Sequence, residues 1–390
     1  MGAVAVVVAA CAENTGPEVE LEETADLASV TSLAFAQISA GMSHSCGRTL
    51  SSGRLYCWGA NFNGQLGNGS RNNKKRPTAV ASTLAFNWVS AGSRHTCAIS
   101  TAGDAYCWGD NSYGELGEGS TTERWSPTLV GGGLKWKQIE VGGSGGYTGF
   151  TCGITTGSRL YCWGANYYGQ LGLGYTEYNA HPWPELANSS VSFRQLAAGG
   201  GHACAVSTVN RAYCWGEASL GQTGNGGIYY QPTAVTGGLA FRQVTAGLYH
   251  TCGTTTGDRG YCWGYGYYGG IGDGTTTDRY APRAIAGGLS FNRVFAGLYH
   301  SCGVTTGRKA YCWGTNDNGQ VGDGTLNRRL RPVAVAPTLD FTQLGTRGTH
   351  TCGVQKDTGV GYCWGANESG QLGDATFTQR LRPTKVAGAL

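Results

Sequence analysis

Cysteine is the residue whose spacing carries the most chemistry in this chain. Fourteen of its 15 cysteines form seven pairs, Cys46/Cys57, Cys97/Cys107, Cys152/Cys162, Cys204/Cys214, Cys252/Cys262, Cys302/Cys312 and Cys352/Cys363. The partners are ten residues apart, or eleven in the first and last pairs. Two residues before six of the seven leading cysteines stands a histidine: His44, His95, His202, His250, His300 and His350, with Phe150 in the third copy. Imidazole and thiolate together suggest a zinc site, but His300, Cys302 and Cys312 leave a tetrahedral ion without a fourth ligand. A catalytic histidine is needed once, whereas this one recurs, which suits a hydrogen-bonding spacer inside each repeat. Two readings of the sulfur remain: reduced thiols packed as small apolar groups, or disulfides.

The elements that hold these residues choose between them. Each pair sits in a repeat of about fifty residues, clearest in Phe291-Asn-Arg-Val-Phe-Ala-Gly-Leu-Tyr-His-Ser-Cys-Gly-Val-Thr-Thr-Gly-Arg-Lys-Ala-Tyr-Cys-Trp-Gly314. Strand-like His-x-Cys-Gly-x-Thr and Tyr-Cys-Trp-Gly segments flank a Thr-Thr-Gly turn and predict a hairpin. Centred on Gly307, that hairpin sets Cys302 opposite Cys312, where Cβ atoms lie roughly 4.5 to 5.5 Å apart, within reach of a disulfide. Seven cross-strand disulfides are expected, each contributing at most about 2 to 3 kcal/mol. Such a set implies an oxidising compartment.

The repeats begin near Phe35, Phe86, Trp136, Phe193, Phe241, Phe291 and Phe341, each with an opening aromatic strand. After the hairpin, a glycine-punctuated loop such as Asn316–Gly324 leads to a fourth strand containing Pro77, Pro127, Pro232, Pro282, Pro332 or Pro383. Proline suits an outer edge. Four short strands at this period announce a propeller blade, so the fold expected is an all-β, seven-bladed propeller over residues 31–390. Closure of the ring brings the termini together and leaves few free edges.

These residues resemble the regulator of chromosome condensation repeat. The likeness lies in Ala91-Gly-Ser-Arg-His-Thr96, Trp58-Gly-Ala-Asn61 and Gly64-Gln-Leu-Gly67, and extends over nearly all of the chain after residue 30. The resemblance implies the same seven-bladed propeller, but functions from nucleotide exchange on a small GTPase to ultraviolet sensing occur on it, so fold does not settle function. The sensing relative depends on Trp in a Gly-Trp-Arg-His-Thr run; Met42, Ser93, Leu248 and Leu298 occupy that place here.

Sixty-seven glycines with only 13% charged residues fit tight turns between strands rather than disorder. Residues 1–11 end in Val8-Ala-Ala-Cys11, similar to the tail of a bacterial lipoprotein signal in which Cys11 would carry lipid; no Lys or Arg precedes it, as a charged start requires. An ordinary secretory signal or an apolar leader is the alternative. Residues 12–30, rich in Glu and Asp, read as an acidic flexible tether. All 28 Lys and Arg lie beyond residue 47, many before the fourth strand (Arg71, Lys74, Lys75, Arg76; Arg328, Arg329, Arg331; Arg380, Arg382). These form either a basic arc for an anionic ligand or a solvated rim.

Two sets of residues are candidate binding positions. Phe62, Tyr113, Tyr167, Tyr168, Tyr267 and Tyr268 precede the Gly-Gln-Leu-Gly loop and place aromatics on one face. Arg94, Tyr249 and Tyr299, with Ser43, Gly201 and Thr349, stand between Gly and His and are expected at the opposite strand ends. No unique acid pair or nucleophile stands out, and no Walker-type Lys-Ser/Thr follows the glycine loops. The expectation is a monomeric, non-enzymatic binding propeller without metal or cofactor, outside the cytoplasm, at the cell surface or secreted, recognising a protein or glycan. The alternative is a guanine-nucleotide exchange factor or chromatin-associated regulator, as the resemblance implies.

Overall fold

A computed structural model describes residues 33–144 and 148–388. The signal-like segment with Cys11, and the tether, lie outside the described residues. The first repeat forms β1 (Phe35–Ala40), β2 (His44–Thr49), β3 (Leu55–Gly59) and β4 (Lys74–Ala79), paired antiparallel in chain order. Six further four-stranded sheets repeat this order, ending with Phe341–Lys385, and the seven blades close into a ring. Among the described residues no strand crosses the closure. The last blade holds four strands of its own and meets the first side by side, with Phe35 N donating to Gly359 O at 2.7 Å.

The hairpin register is the one the spacing requires, and every cysteine faces its partner directly. Seven disulfides form: Cys46–Cys57, Cys97–Cys107, Cys152–Cys162, Cys204–Cys214, Cys252–Cys262, Cys302–Cys312 and Cys352–Cys363. The extra residue in the first and last pairs is taken up in the turn, so Cys57 and Cys363 keep the same facing position as Cys214 and Cys262. Their Cα atoms lie 4.0 to 4.1 Å apart. That is closer than the roughly 4.5 to 5.5 Å between Cα atoms of ordinary opposed residues, so the bridged strands approach more tightly than the generic spacing implied. All fourteen sulfurs belong to fully buried residues.

Period-two alternation then divides each blade: Trp108 and Tyr106 pack toward the preceding blade with Phe86, while Cys107 packs toward the following one with Ile139 and Trp163. The core is therefore seven layers between blades rather than one centre. Each layer is keyed by a buried tryptophan. Trp108 Nε1 donates to Gln65 O at 2.9 Å in the preceding blade, and its ring lies over Gly67, where a Cβ would come within 2.5 Å of the indole nitrogen.

A second key lies on the innermost strand. The third residue of that strand is Gln in five blades, and its amide hydrogen-bonds a backbone group of the next blade. Gln138 accepts from Leu196 N and donates to Leu196 O, both at 2.9 Å, and Gln195 makes the same pair with Val244. In the second blade Trp88 takes the place and donates to Ile139 O. In the sixth blade the residue is Arg293.

Candidate functional site

Antiparallel strands reverse direction at every turn, so the loops after the first and third strands of a blade emerge on the same face. The two candidate sets therefore share a face instead of lying at opposite ends: Tyr299 and Tyr268 have ring centroids only 4.5 Å apart. This corrects the expected placement of Arg94, Tyr249 and Tyr299, and the correction follows from counting strand reversals alone.

On this face the long loop after the third strand is held from within. Asn61 Nδ2 donates to Ser70 O at 2.9 Å and Asn72 O at 3.1 Å, while its Oδ1 accepts from Leu66 N at 2.9 Å. Asn111, Asn316 and Asn367 repeat the full clamp, and Asn166 repeats part of it. In three of the blades an aspartate in the loop also grips an arginine, as Asp323 grips Arg329 at 2.6 Å. Burial alone would raise these aspartates; hydrogen bonds from the neighbouring Thr and Arg hold them below the usual carboxylate range.

The fifth blade departs from this scheme. Gly266 stands where the clamping Asn belongs, and the loop folds in so tightly that a Cβ there would meet Thr277 O. Asp278 Oδ1 accepts from Gly266 N at 2.8 Å, as Asn73 Oδ1 does from Asn61 N at 2.9 Å, so this bond is kept although the clamp is lost. The adjoining residues are Tyr265, Tyr267 and Tyr268, and with Tyr249 and Tyr299 they make one patch. Tyr249 and Tyr299 stack at 5.5 Å, Tyr265 and Tyr267 stack at 6.2 Å, and Tyr267 meets Tyr268 edge-on at 5.1 Å. Arg328 of the sixth blade lies 5.6 Å from the Tyr268 ring and 6.0 Å from the Tyr267 ring. Tyr267 remains 57% exposed. Burial first, then the neighbouring phenols, pushes Tyr299 up to about 12.

The other candidates scatter around the ring. Tyr113 and Tyr167 pack edge-on at 5.5 Å, with Tyr178 5.0 Å from Tyr167, across blades two and three. Tyr168 and Phe62 are exposed. Arg94 sits 3.9 Å from Asp110. Beside it, Glu115 occupies the place of a loop Gln and accepts from Tyr113 N at 2.7 Å; burial, followed by Asp110, pushes its carboxyl up to about 8. The supposed basic arc is in part spent on structure, since Arg329 and Arg380 are paired with loop aspartates and Arg71 lies 3.6 Å from Glu123.

The recurring histidines act between blades, not inside one. His300 Nε2 lies 2.9 Å from Thr351 Oγ1 of the next blade, and that hydroxyl donates back to Gln320 O at 2.9 Å. Six junctions carry this link, including His350 with Ser45 across the ring closure. Burial lowers each imidazole to about 3 or 4, so each is neutral.

The repeat that builds this face is shared with known proteins. Family models for the regulator of chromosome condensation (RCC1) repeat match residues 52–99 and 158–206, and further segments at 35–65, 89–115, 141–170, 193–222 and 291–320. The chain carries RCC1 repeats. It is 32% identical to the Ultraviolet-B receptor UVR8 of Arabidopsis thaliana over 195 residues, 48% of this chain and 43% of the receptor, so the match spans less than half of that relative. Two solved structures superpose on it: human WBSCR16, with a TM-score of 0.74 at 20% identity over 83% of this chain and 88% of that one, and Prp20p from Saccharomyces cerevisiae, with 0.73 at 19% over 91% and 87%. At such identities the likeness is one of fold.

Proposed function

We propose that this RCC1-repeat chain is a non-catalytic binding module working outside the reducing cytoplasm, and that it takes a protein partner on its loop face, centred on Tyr249, Tyr265, Tyr267, Tyr268 and Tyr299. The observation that carries the reading is the tyrosine patch itself. Five phenol rings in mutual contact, partly exposed and flanked by Arg328, offer wide apolar area with hydroxyl rims and little side-chain entropy to lose, the composition of interface hot spots. Protein recognition also fits the fold relative Prp20p, which is described as binding Gsp1p and histones. The disulfides support the compartment, because cytosolic thiol buffers oppose such pairing. Cys11, read as a lipid attachment point, would tether the propeller to a membrane surface.

Capture of partners from envelope extract or culture medium with the oxidised protein, followed by mass spectrometry, tests the surface. The Tyr268→Ala/Tyr299→Ala variant is expected to lose the partner while unfolding within about 1 kcal/mol of the parent, as surface substitutions do; equal recovery refutes the patch. Thiol titration in denaturant without reductant tests the compartment. One reactive thiol or none is expected, and fourteen or more would refute it.

A further inference from the structure

The axis of the ring holds a cavity of about 530 Å³ lined by the innermost strands, a size suited to a small ligand. Its ionisable lining is lopsided: Lys137, Arg194, Arg242, Arg293 and Arg347 against the single carboxyl Glu140. Two of the cations are already committed. Arg194 donates to Asn210 Oδ1 and Phe241 O, and Arg242 pairs with Asp258 at 2.6 Å.

Arg293 and Arg347 are different. Arg293 replaces the Gln found in five other blades; among the described residues it forms no hydrogen bond or ion pair, and it lines the open channel. Arg347 stands where the other repeats have Gly, and its guanidinium crosses the channel from the seventh blade to the fourth, donating to Ala198 O and Gly199 O at 3.2 Å. Its Nε is shielded from solvent and has no partner among the described residues. Glu140 is the one carboxyl of the lining, and its field acts on both arginines. Its oxygens accept from Gln138 and Ser90, and burial, partly offset by those bonds, lifts it to about 7. The lining thus carries five cations for one carboxyl, with Arg293 exposed to the channel, and low-dielectric walls focus their field on whatever enters.

We propose that this channel binds a small phosphate-bearing anion, with the guanidinium groups of Arg293 and Arg347 as its ligands and Lys137 nearer the entrance. Arginine forks match the oxygens of a phosphoryl group. Arg347 spans the end of the channel nearest the tyrosine face, so the anion enters from the opposite face. The site is separate from the tyrosine patch and does not depend on it.

Isothermal titration calorimetry of the oxidised full chain at low ionic strength and pH 7, with pyrophosphate, a hexose phosphate and citrate as probes, tests the assignment. One-to-one binding of a phosphate probe is expected, weakened about tenfold or more in Arg293→Gln, the loss of one charge-assisted contact. That variant restores the residue found in five other blades, so it is expected to melt at or above the parent temperature, which separates lost binding from lost fold. Tighter binding of pyrophosphate would identify an inorganic source and tighter binding of the hexose phosphate a metabolite. No heat with either phosphate, unchanged affinity in Arg293→Gln, or citrate bound as tightly as phosphate would overturn the proposal.

Discussion

The junction between blades three and four differs from the other six, and the difference explains what the recurrent histidine does. Elsewhere His of one blade meets Ser or Thr of the next, as His250 meets Ser301 at 2.7 Å. At the third junction both partners change together: Phe150 replaces His, and Ala203 replaces the hydroxyl residue, and the two share one apolar cluster. The tryptophan key is kept, with Trp215 Nε1 on Gln170 O at 2.9 Å. A buried hydroxyl or imidazole left alone costs more than the link returns, whereas removing both can be nearly neutral. The polar and apolar junctions are thus two solutions to one packing problem, and neither is catalytic.

The strongest test of this contrast is acid. Each of the six linked histidines stays neutral in the fold down to pH about 3 or 4, while the unfolded chain takes up a proton near pH 6.5. The unfolded state therefore binds more protons throughout that window, and stability falls as pH falls from 6.5, by up to about 1.4 kcal/mol per pH unit for each histidine. Denaturant titrations at pH 7, 5.5 and 4.5 are expected to show a steep loss. A flat profile would mean that these rings are charged or solvated.

A smaller effect comes from moving the apolar solution elsewhere. His300→Phe alone presses a larger ring on the Thr351 hydroxyl and removes its partner, and is expected to cost about 2 to 4 kcal/mol. Adding Thr351→Ala recreates the third junction and should return about 1 to 2 kcal/mol, a coupling read from a double-mutant cycle. It should also make the acid profile shallower by one proton. Purely additive costs would sever the link between the two junction types.

The smallest difference is expected from sulfur. The Cys152–Cys162 disulfide flanks the apolar junction and Cys302–Cys312 a polar one, yet both close ten-residue separations within a hairpin. Replacing either pair by alanine should cost a similar 2 to 3 kcal/mol or so, measured by denaturant unfolding. A large disparity would show that junction chemistry, not loop closure, governs the covalent contribution.

Much of this was legible along the chain. Blade number, the four strands per blade and the cysteine register all follow from local spacing, because hairpin partners are ten or eleven residues apart and their faces alternate with period two. Gln138 and Gln195 were equally visible as a residue recurring two positions after the opening aromatic, but their bonds run to a strand about fifty residues on, which no local pattern names. The same distance hid the partner of His300. The tyrosine patch was half legible: Tyr267, Tyr268, Tyr249 and Tyr299 each occupy a recurring loop position, and Gly266 departs visibly from the Trp-Gly-x-Asn motif, but only packing shows that Tyr265 joins the other four and what fills the space of the absent side chain.

The sequence by itself determined that this protein is a ring of seven stapled blades, because repetition and the reach of a disulfide are properties of short segments. Tertiary structure decided which residues meet across blades. Closing the ring drew five tyrosines into one patch, set neutral histidines against hydroxyls, and carried Arg347 over the axis to a carbonyl nearly 150 positions away. Such contacts depend on the angle between sheets, which is set by all seven layers together and is written in no single repeat.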